Sequence, residues 1–188
     1  MKSVLISIRP KWTEKIANGE KTIEVRKSAP KEVPFKCYIY ETQGQYVKFT
    51  HGAHTKYGYG RGKVIGAFIC DRIEMVNAKC SNYGIDLFYH DCLTNGCLTE
   101  REIEKYFNVP EDRDLRAMKG NGYVWNISDL KIYDKPKELS EFCIPCKVSC
   151  ENCKNPLYFE CWCEEKGKKI VTRPPQSWCY VENLGEEK

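Results

Sequence analysis

No stretch of this sequence approaches the roughly 20 consecutive apolar residues that a membrane span requires. The opening run Val4-Leu5-Ile6-Ser7-Ile8 is too short for a secretion signal and lacks a small-residue cleavage site. The expectation is an intracellular, cytoplasmic protein with no membrane association. Internal repeats are missing, as are the biased compositions of collagen-like, coiled-coil and low-complexity chains. Charge of one sign is scarce as well: Lys+Arg 30 against Asp+Glu 26 leaves +4 over 188 residues. That small total hides an asymmetry. Residues 1–63 hold thirteen Lys/Arg and five Glu, a balance of +8, and residues 64–188 stand at −4. A basic half of this kind suits an anionic partner.

What is present is a core-sized apolar fraction, 41%, with 30% charged residues, which suits a single domain over 1–188. Val4, Ile6 and Ile8 alternate as on a strand. Pro10 suits the first turn of a helix that Asn18-Gly19 ends, with Trp12 and Ile16 on one face. A second strand is expected over Lys21–Lys27, with Ile23 and Val25 on one face and Thr22, Glu24 and Arg26 on the other. Phe35–Glu41 reads as a third strand and Lys63–Val76 as one long strand with a bend. Gln43–Gly62 between them has no apolar period; its glycines, four aromatics and basic residues predict a flexible loop. Thr99 and Glu102 form a capping box that predicts a helix over Thr99–Asn108. Strands follow near Tyr123–Ile127 and Leu130–Tyr133, and a short extended tail lies within Val171–Val181. Strands broken by a few helices without βαβ regularity predict an α+β fold around a small curved sheet or barrel.

There are twelve cysteines. In a chain expected to stay in a reducing compartment they favour metal over disulfides. Cys37 and Cys70 lie in strand-like runs and read as core thiols. Six crowd into 143–163: Cys143-x2-Cys146, Cys150-x2-Cys153 and Cys161-x-Cys163. That density suits one structural zinc, with Cys146, Cys150, Cys153 and Cys161 as the first choice of ligands and Cys143 and Cys163 as substitutes. Cys146-x3-Cys150-x2-Cys153 also matches the cluster triad of radical enzymes, but those need a large barrel and only 35 residues follow Cys153. His51 and His54 have a ligand-like spacing, yet no cysteine is near them in sequence, and solvated histidines are the simpler reading.

Ser-Ile-Arg-Pro (7–10), a short helix and then Gly19-x-Lys21-x-x-Glu24-x-Arg26 resemble the signature of the ASCH domain family, within the PUA-like superfamily. Gly62–Gly66, Tyr123–Ile127 and Arg173-Pro-Pro-Gln-Ser-Trp178 resemble ASCH proteins of phage and Gram-positive bacterial type. The resemblance implies a PUA-like small mixed β-barrel flanked by short helices, with 143–163 as a cysteine-rich, metal-binding insertion. It also implies RNA or modified-base binding. Some small bacterial members resemble acetylcytidine hydrolases that use a lysine, a threonine and a glutamate. Lys21 matches the lysine, Glu24 stands at the threonine position, and the stretch 91–96, where the glutamate is expected, holds Asp91 and no Glu.

On their residues alone, Glu24 and Arg26 at i and i+2 make a surface ion pair worth at most about 1 kcal/mol. The resemblance makes them the wall of a pocket. There Lys21 and Arg26 hold an anionic or carbonyl group and Glu24 accepts from a base amino group. The expected function is therefore binding of RNA, or of a nucleoside or nucleotide, by Arg9, Trp12, Arg26, Lys27, Gln176, Ser177 and Trp178. The alternative is a hydrolase of modified nucleosides or RNA, an amidohydrolase or a nuclease, with Lys21 and Glu24 catalytic. Trp12 and Trp125 read first as core residues and only second as stacking surfaces, while Trp178 reads as either. A third expectation is an adaptor whose zinc-stapled segment docks a protein.

Overall fold

The protein is described by a computed structural model over residues 1–51, 54–110, 117–145 and 169–182. In chain order the elements are β1 (Lys2–Ile8), α1 (Pro10–Ala17), β2 (Ile23–Arg26), β3 (Phe35–Glu41), β4 (Gly44–His51), β5 (His54–Gly60) and β6 (Lys63–Cys70). Then come β7 (Ile73–Asn77), α2 (Asn82–Thr94), α3 (Glu100–Phe107), β8 (Asn121–Asn126), β9 (Ser128–Lys137) and β10 (Trp178–Val181). Among these residues no helix is long and apolar enough to cross a membrane.

The α+β class holds. Among the described residues, however, the strands run in three sheets rather than one closed barrel. The five-stranded sheet has the order β10-β1-β3-β6-β9, with β1 parallel to β3 and the other neighbours antiparallel. β2, β8 and β7 form an antiparallel three-stranded sheet. The expected long strand over Lys63–Val76 is two, β6 and β7, which belong to different sheets. The chain turns the corner at Asp71-Arg72, where Asn126 donates from its backbone to Arg72 O at 3.0 Å and from its side chain to Asp71 Oδ1 at 2.8 Å.

Three apolar clusters hold the layers together. Val4, Ile6, Ile8, Ile16, Phe35, Cys37, Ile39, Phe68 and Trp125 pack between the two larger sheets. Trp125 is fully buried, with Phe35 edge-on at 5.3 Å. Ile23, Val25, Val124, Ile85, Phe88, Cys92, Ile103 and Phe107 join the three-stranded sheet to α2 and α3. Leu5, Tyr38, Val64, Phe142 and Val171 cover the far face of the five-stranded sheet. β1 is therefore buried on both faces, which is why Val4 through Ile6 all lie inside.

Where the sequence suggested a flexible loop over Gln43–Gly62 there is a two-stranded ribbon, β4 against β5, leaning on α1. The glycines and bulge hide its period of two. Helix α2 was not anticipated either. Ser81 caps it by accepting from Gly84 N at 3.2 Å, and Ile85, Phe88 and Cys92 give it a buried face. α3 follows its capping box: Thr99 accepts from Glu102 N, and the Glu102 carboxylate accepts from Thr99 N at 2.9 Å.

Candidate functional site

Helix α1 begins at Pro10, whose missing N–H costs nothing at N1, and ends at Asn18 and Gly19, the latter at φ +75°. This abrupt end turns the chain back so that Glu20 N and Lys21 N both donate to Lys15 O. Lys21 is thereby aimed inward rather than at solvent. Thr22 N then donates to Asn95 O at 3.0 Å, tying the start of β2 to the end of α2. The adjacent Gly96 carbonyl accepts from Lys21 Nζ at 2.8 Å.

On β2, Glu24 and Arg26 lie two residues apart and share one face, as the alternation predicts. The carboxylate of Glu24 spans the two cations. Its Oε1 accepts from Arg26 at 2.9 Å, and its Oε2 lies 3.5 Å from Lys21 Nζ. Arg26 also donates to Ser7 O at 2.8 Å and reaches Ser177 Oγ at 3.5 Å, while Ser7 Oγ donates to Pro175 O at 2.6 Å. The C-terminal segment is thus bonded over the Arg26 end of the row. The three residues are only 3, 6 and 9% exposed, so this is a buried triad and not the surface pair that spacing alone allowed.

Two of its atoms make no hydrogen bond within the described protein, Glu24 Oε2 and Arg26 Nε. The Lys21 ammonium donates to Gly96 O, and its 3.5 Å contact with Oε2 is a coulombic one that makes no hydrogen bond. Buried polar groups are nearly always paired, so an acceptor and a donor left over in one ion cluster are unusual, and both atoms are closed off from solvent. With two cations to one carboxylate, the row attracts anions and carbonyl dipoles.

Trp12 stands at the rim, with Lys11 Nζ 4.3 Å and Lys21 Nζ 5.5 Å from its ring centroid. Lys11 is also bound by Glu102 of α3 at 2.8 Å, which joins the two helices across the rim. Trp178 packs edge-on against Trp125 at 5.8 Å and donates from Nε1 to Ser28 Oγ at 3.1 Å, so it frames the site as half-buried structure. Trp125 is wholly core. Lys27 is exposed, its ammonium 5.1 Å above the Tyr106 ring. Arg9 and Gln176 are exposed at the neighbouring surface, Arg9 as the N-cap of α1, and neither reaches the triad.

Sequence reasoning missed Ser7, Gly96, Cys92 and Tyr106. Ser7 and Gly96 serve through backbone carbonyls, which carry no residue-type signal. Tyr106 of α3 lies against the Lys27 backbone near Arg26 and Glu24, and burial pushes its hydroxyl above the ordinary tyrosine range. Cys92 of α2 lies beneath Lys21, and burial pushes its thiol up to about 12. Asp91 accepts from Asn95 of its own helix end at 2.9 Å and takes no part. An open groove of about 700 Å³ lies on the opposite face of the five-stranded sheet, lined by Lys36, Tyr38, Lys131 and Tyr133 together with Asp129 and Asp134.

Of the six clustered cysteines only Cys143 is described; Cys146, Cys150, Cys153, Cys161 and Cys163 lie outside the described residues. Cys143 pairs with Ile170, and Ile144 N donates to Lys169 O at 2.8 Å, so the chain leaves and returns side by side. The described residues contain no group of three metal-ligating side chains. The seven described cysteines are free thiols.

In sequence the chain matches no protein-family model and no curated protein. In structure it is similar to ASCH from Zymomonas mobilis, at 18% identity with a TM-score of 0.55, over 96% of this chain and 88% of that one. Two variants of the same protein, one with a tyrosine changed to phenylalanine and one with a serine changed to alanine, give TM-scores of 0.55 and 0.56. Their identities are 15 and 17%, over 97 and 96% of this chain and 91 and 89% of theirs. These structures do not bear on the phage or Gram-positive likeness. Alignment over nearly the full length of both chains identifies the architecture: the chain has the fold of an ASCH domain.

Proposed function

We propose that the chain binds RNA or a modified nucleobase at the Lys21–Glu24–Arg26 row. The observation that carries this reading is the buried ion triad with Glu24 Oε2 and Arg26 Nε left unpaired beside each other's partners. Glu24 offers an acceptor to an exocyclic amino group, and Arg26 and Lys21 offer donors to a carbonyl or phosphate oxygen, the complementary set that a base edge presents. The triad is 3 to 9% exposed and its two unpaired atoms are closed off, so a base edge reaches them only when the C-terminal segment over Arg26 moves aside. Trp12 at the rim, flanked by Lys11, supplies a ring and positive charge outside it. The fold supports the reading in general terms, since PUA-like domains resemble RNA and modified-base binders. The basic balance of residues 1–63, which contain the whole triad, supports it on charge. The test is a titration of labelled single-stranded RNA at several salt concentrations, with Arg26→Ala beside the parent. Salt-sensitive binding that the variant loses supports the reading, and salt-independent or absent binding overturns it.

A second reading is hydrolysis of modified nucleosides or RNA. It is favoured by one observation: Glu24 Oε2 is an acceptor without a donor, 3.5 Å from an ammonium. Glu24 then serves as the base and Lys21 polarises the carbonyl under attack. Incubating parent and Lys21→Ala with acylated cytidines and with RNA separates the readings; turnover equal in both proteins dismisses Lys21 from catalysis.

The cysteine-rich segment 143–163 is proposed to hold one structural zinc. Its spacing supports this, as does the paired neck at Cys143 and Ile170, which brings the ends of the segment together. Four thiolates leave no open position for water, so such an ion would stabilise and not catalyse.

A further inference from the structure

The C-terminal segment closes the Arg26 end of the row with a stretch that belongs to no sheet. Residues 172–177 form neither strand nor helix, and Thr172, Arg173, Pro174 and Gln176 are exposed. Pro174 and Pro175 have no N–H to donate, so this stretch does not extend the β1–β10 ladder, which ends at the Ile6–Trp178 pair. Both of its ends are fixed. Upstream, the buried Val171 donates from its amide to Phe142 O at 2.8 Å. Downstream, Trp178 packs on Trp125 and bonds Ser28, and beyond β10 Glu182 N donates to Cys143 O at 2.9 Å. Between these anchors the strap is latched to Ser7 and Arg26. Ser7 N donates to Ser177 O at 2.9 Å, and Ser7 Oγ donates to Pro175 O at 2.6 Å. Arg26 Nη1 reaches Ser177 Oγ at 3.5 Å, the outer limit of a hydrogen bond.

The guanidinium is unevenly served. Its Nη2 lies 2.8 Å from Ser7 O and 2.9 Å from Glu24 Oε1, while Nη1 has only the long contact with the strap and Nε has no partner. A phosphate or carbonyl oxygen at the usual charge-assisted distance of roughly 2.7–2.9 Å would hold Nη1 better than the Ser177 hydroxyl does. Ligand oxygen and Ser177 hydroxyl therefore compete for one donor. Most of the strap is already in water and its ends stay bonded, so lifting it exposes little surface and costs far less than unfolding the domain. We infer that residues 172–177 are an autoinhibitory strap, latched by Ser7 in the free protein, that opens while the domain stays folded and lets a nucleotide replace Ser177 on Arg26. This rests on the proposed RNA-binding reading and adds how that site is opened. Ser7 acts here as a positioning residue, through the strap it holds.

Two measurements on the full chain test this, and the first needs no RNA. Amide hydrogen exchange is followed residue by residue at several urea concentrations below the unfolding transition. The amide of Ser7, whose acceptor is on the strap, is expected to exchange at least about a hundredfold faster than the amides of β3, the middle strand of its sheet. Its rate should not change with urea, because the opening exposes little surface, whereas the β3 rates rise. If the Ser7 amide exchanges at the β3 rate and with the β3 urea dependence, the strap leaves only when the domain unfolds and the inference is overturned. The second measurement is the affinity of Ser7→Ala for single-stranded RNA. This variant keeps the carbonyl that Arg26 uses and removes the hydroxyl bond to Pro175 O. Losing one neutral hydrogen bond shifts the opening by about fivefold, so the variant should bind RNA about fivefold more tightly with the same salt slope. A bond that only supported the fold would leave affinity equal or weaker, and either result overturns the autoinhibition. If the parent binds no RNA, the RNA reading fails, and the exchange measurement alone upholds or overturns the strap.

Discussion

Replacing Glu24 by Gln removes one negative charge and keeps the side-chain shape, which isolates what the carboxylate does. In the folded protein it stands 2.9 Å from the Arg26 guanidinium and 3.5 Å from Lys21 Nζ. At an effective dielectric of about 20, each of these attractions is roughly 5 kcal/mol before desolvation is subtracted. What remains on breaking a buried pair by removing one partner is about 3–5 kcal/mol, because the surviving charge stays buried and uncompensated. Here two cations are orphaned, so Glu24→Gln should lie at the upper end of that range. With a urea slope near 2 kcal/mol/M, the unfolding midpoint falls by about 2 M. The control is Glu74→Gln, which breaks the Arg72–Glu74 contact between side chains 69 and 55% exposed and should leave the midpoint nearly where it was. A third protein completes the assay: Lys21→Met, Glu24→Leu and Arg26→Leu together should recover most of the loss, since well-packed apolar groups often equal a buried ion cluster in stability. A midpoint change below about 0.5 M for Glu24→Gln would refute the buried, bridging carboxylate. Recovery in the triple variant with RNA binding gone would show that the charges serve recognition rather than folding.

Other outcomes follow from the thiols and the metal. Burial pushes Cys70 and Cys92 up to about 12 and raises Cys37 well above its usual value. These three should resist a thiol reagent at pH 8 in the folded protein and react only on unfolding, while Cys80 and Cys97, which are partly exposed, react first. The unfolded thiols ionise near pH 9 and the folded ones do not, so the unfolded chain binds fewer protons there. Stability is therefore fully present below pH 9 and falls as pH rises from 9 toward 12, by about 1.4 kcal/mol per unit for each such group. Urea midpoints that do not move over pH 8.5 to 10.5 would contradict this. For the metal, elemental analysis should count one zinc per chain, lost on Cys150→Ser with Cys153→Ser while the RNA titration is unchanged; zero zinc in freshly purified protein rejects the ion.

The sequence made much of the frame legible because its signals were local. Pro10 and Asn18-Gly19 bracket α1, the Thr99–Glu102 box opens α3, and alternation in Ile23–Arg26 puts Glu24 and Arg26 on one face. What it concealed was non-local. Only Asp71-Arg72 separates the apolar residues of β6 from those of β7, and the division between two sheets depends on bonds from Asn126, more than fifty residues away. The ribbon read as a loop because Gly44, Gly58 and Gly60 interrupt its alternation, although Gln45, Val47, Tyr57 and Tyr59 keep it. α2 carried its signal in Ile85, Phe88 and Cys92 behind a Ser81 cap, diluted by Gly84 and by aromatics on the open face. Burial of the triad was hidden for the same reason: it depends on the Gly96 carbonyl from one side and Ser7 and Ser177 from the other, three positions with no common motif.

The most direct test of the central claim is the affinity of the full chain for single-stranded RNA as a function of salt, with Arg26→Ala alongside. Binding through the Lys21–Glu24–Arg26 row predicts a log–log plot that falls steadily with salt, and a variant that binds markedly more weakly at every point with a slope reduced by no more than about one. A parent that binds no RNA at low salt, or a variant whose curve overlays the parent's, would contradict it.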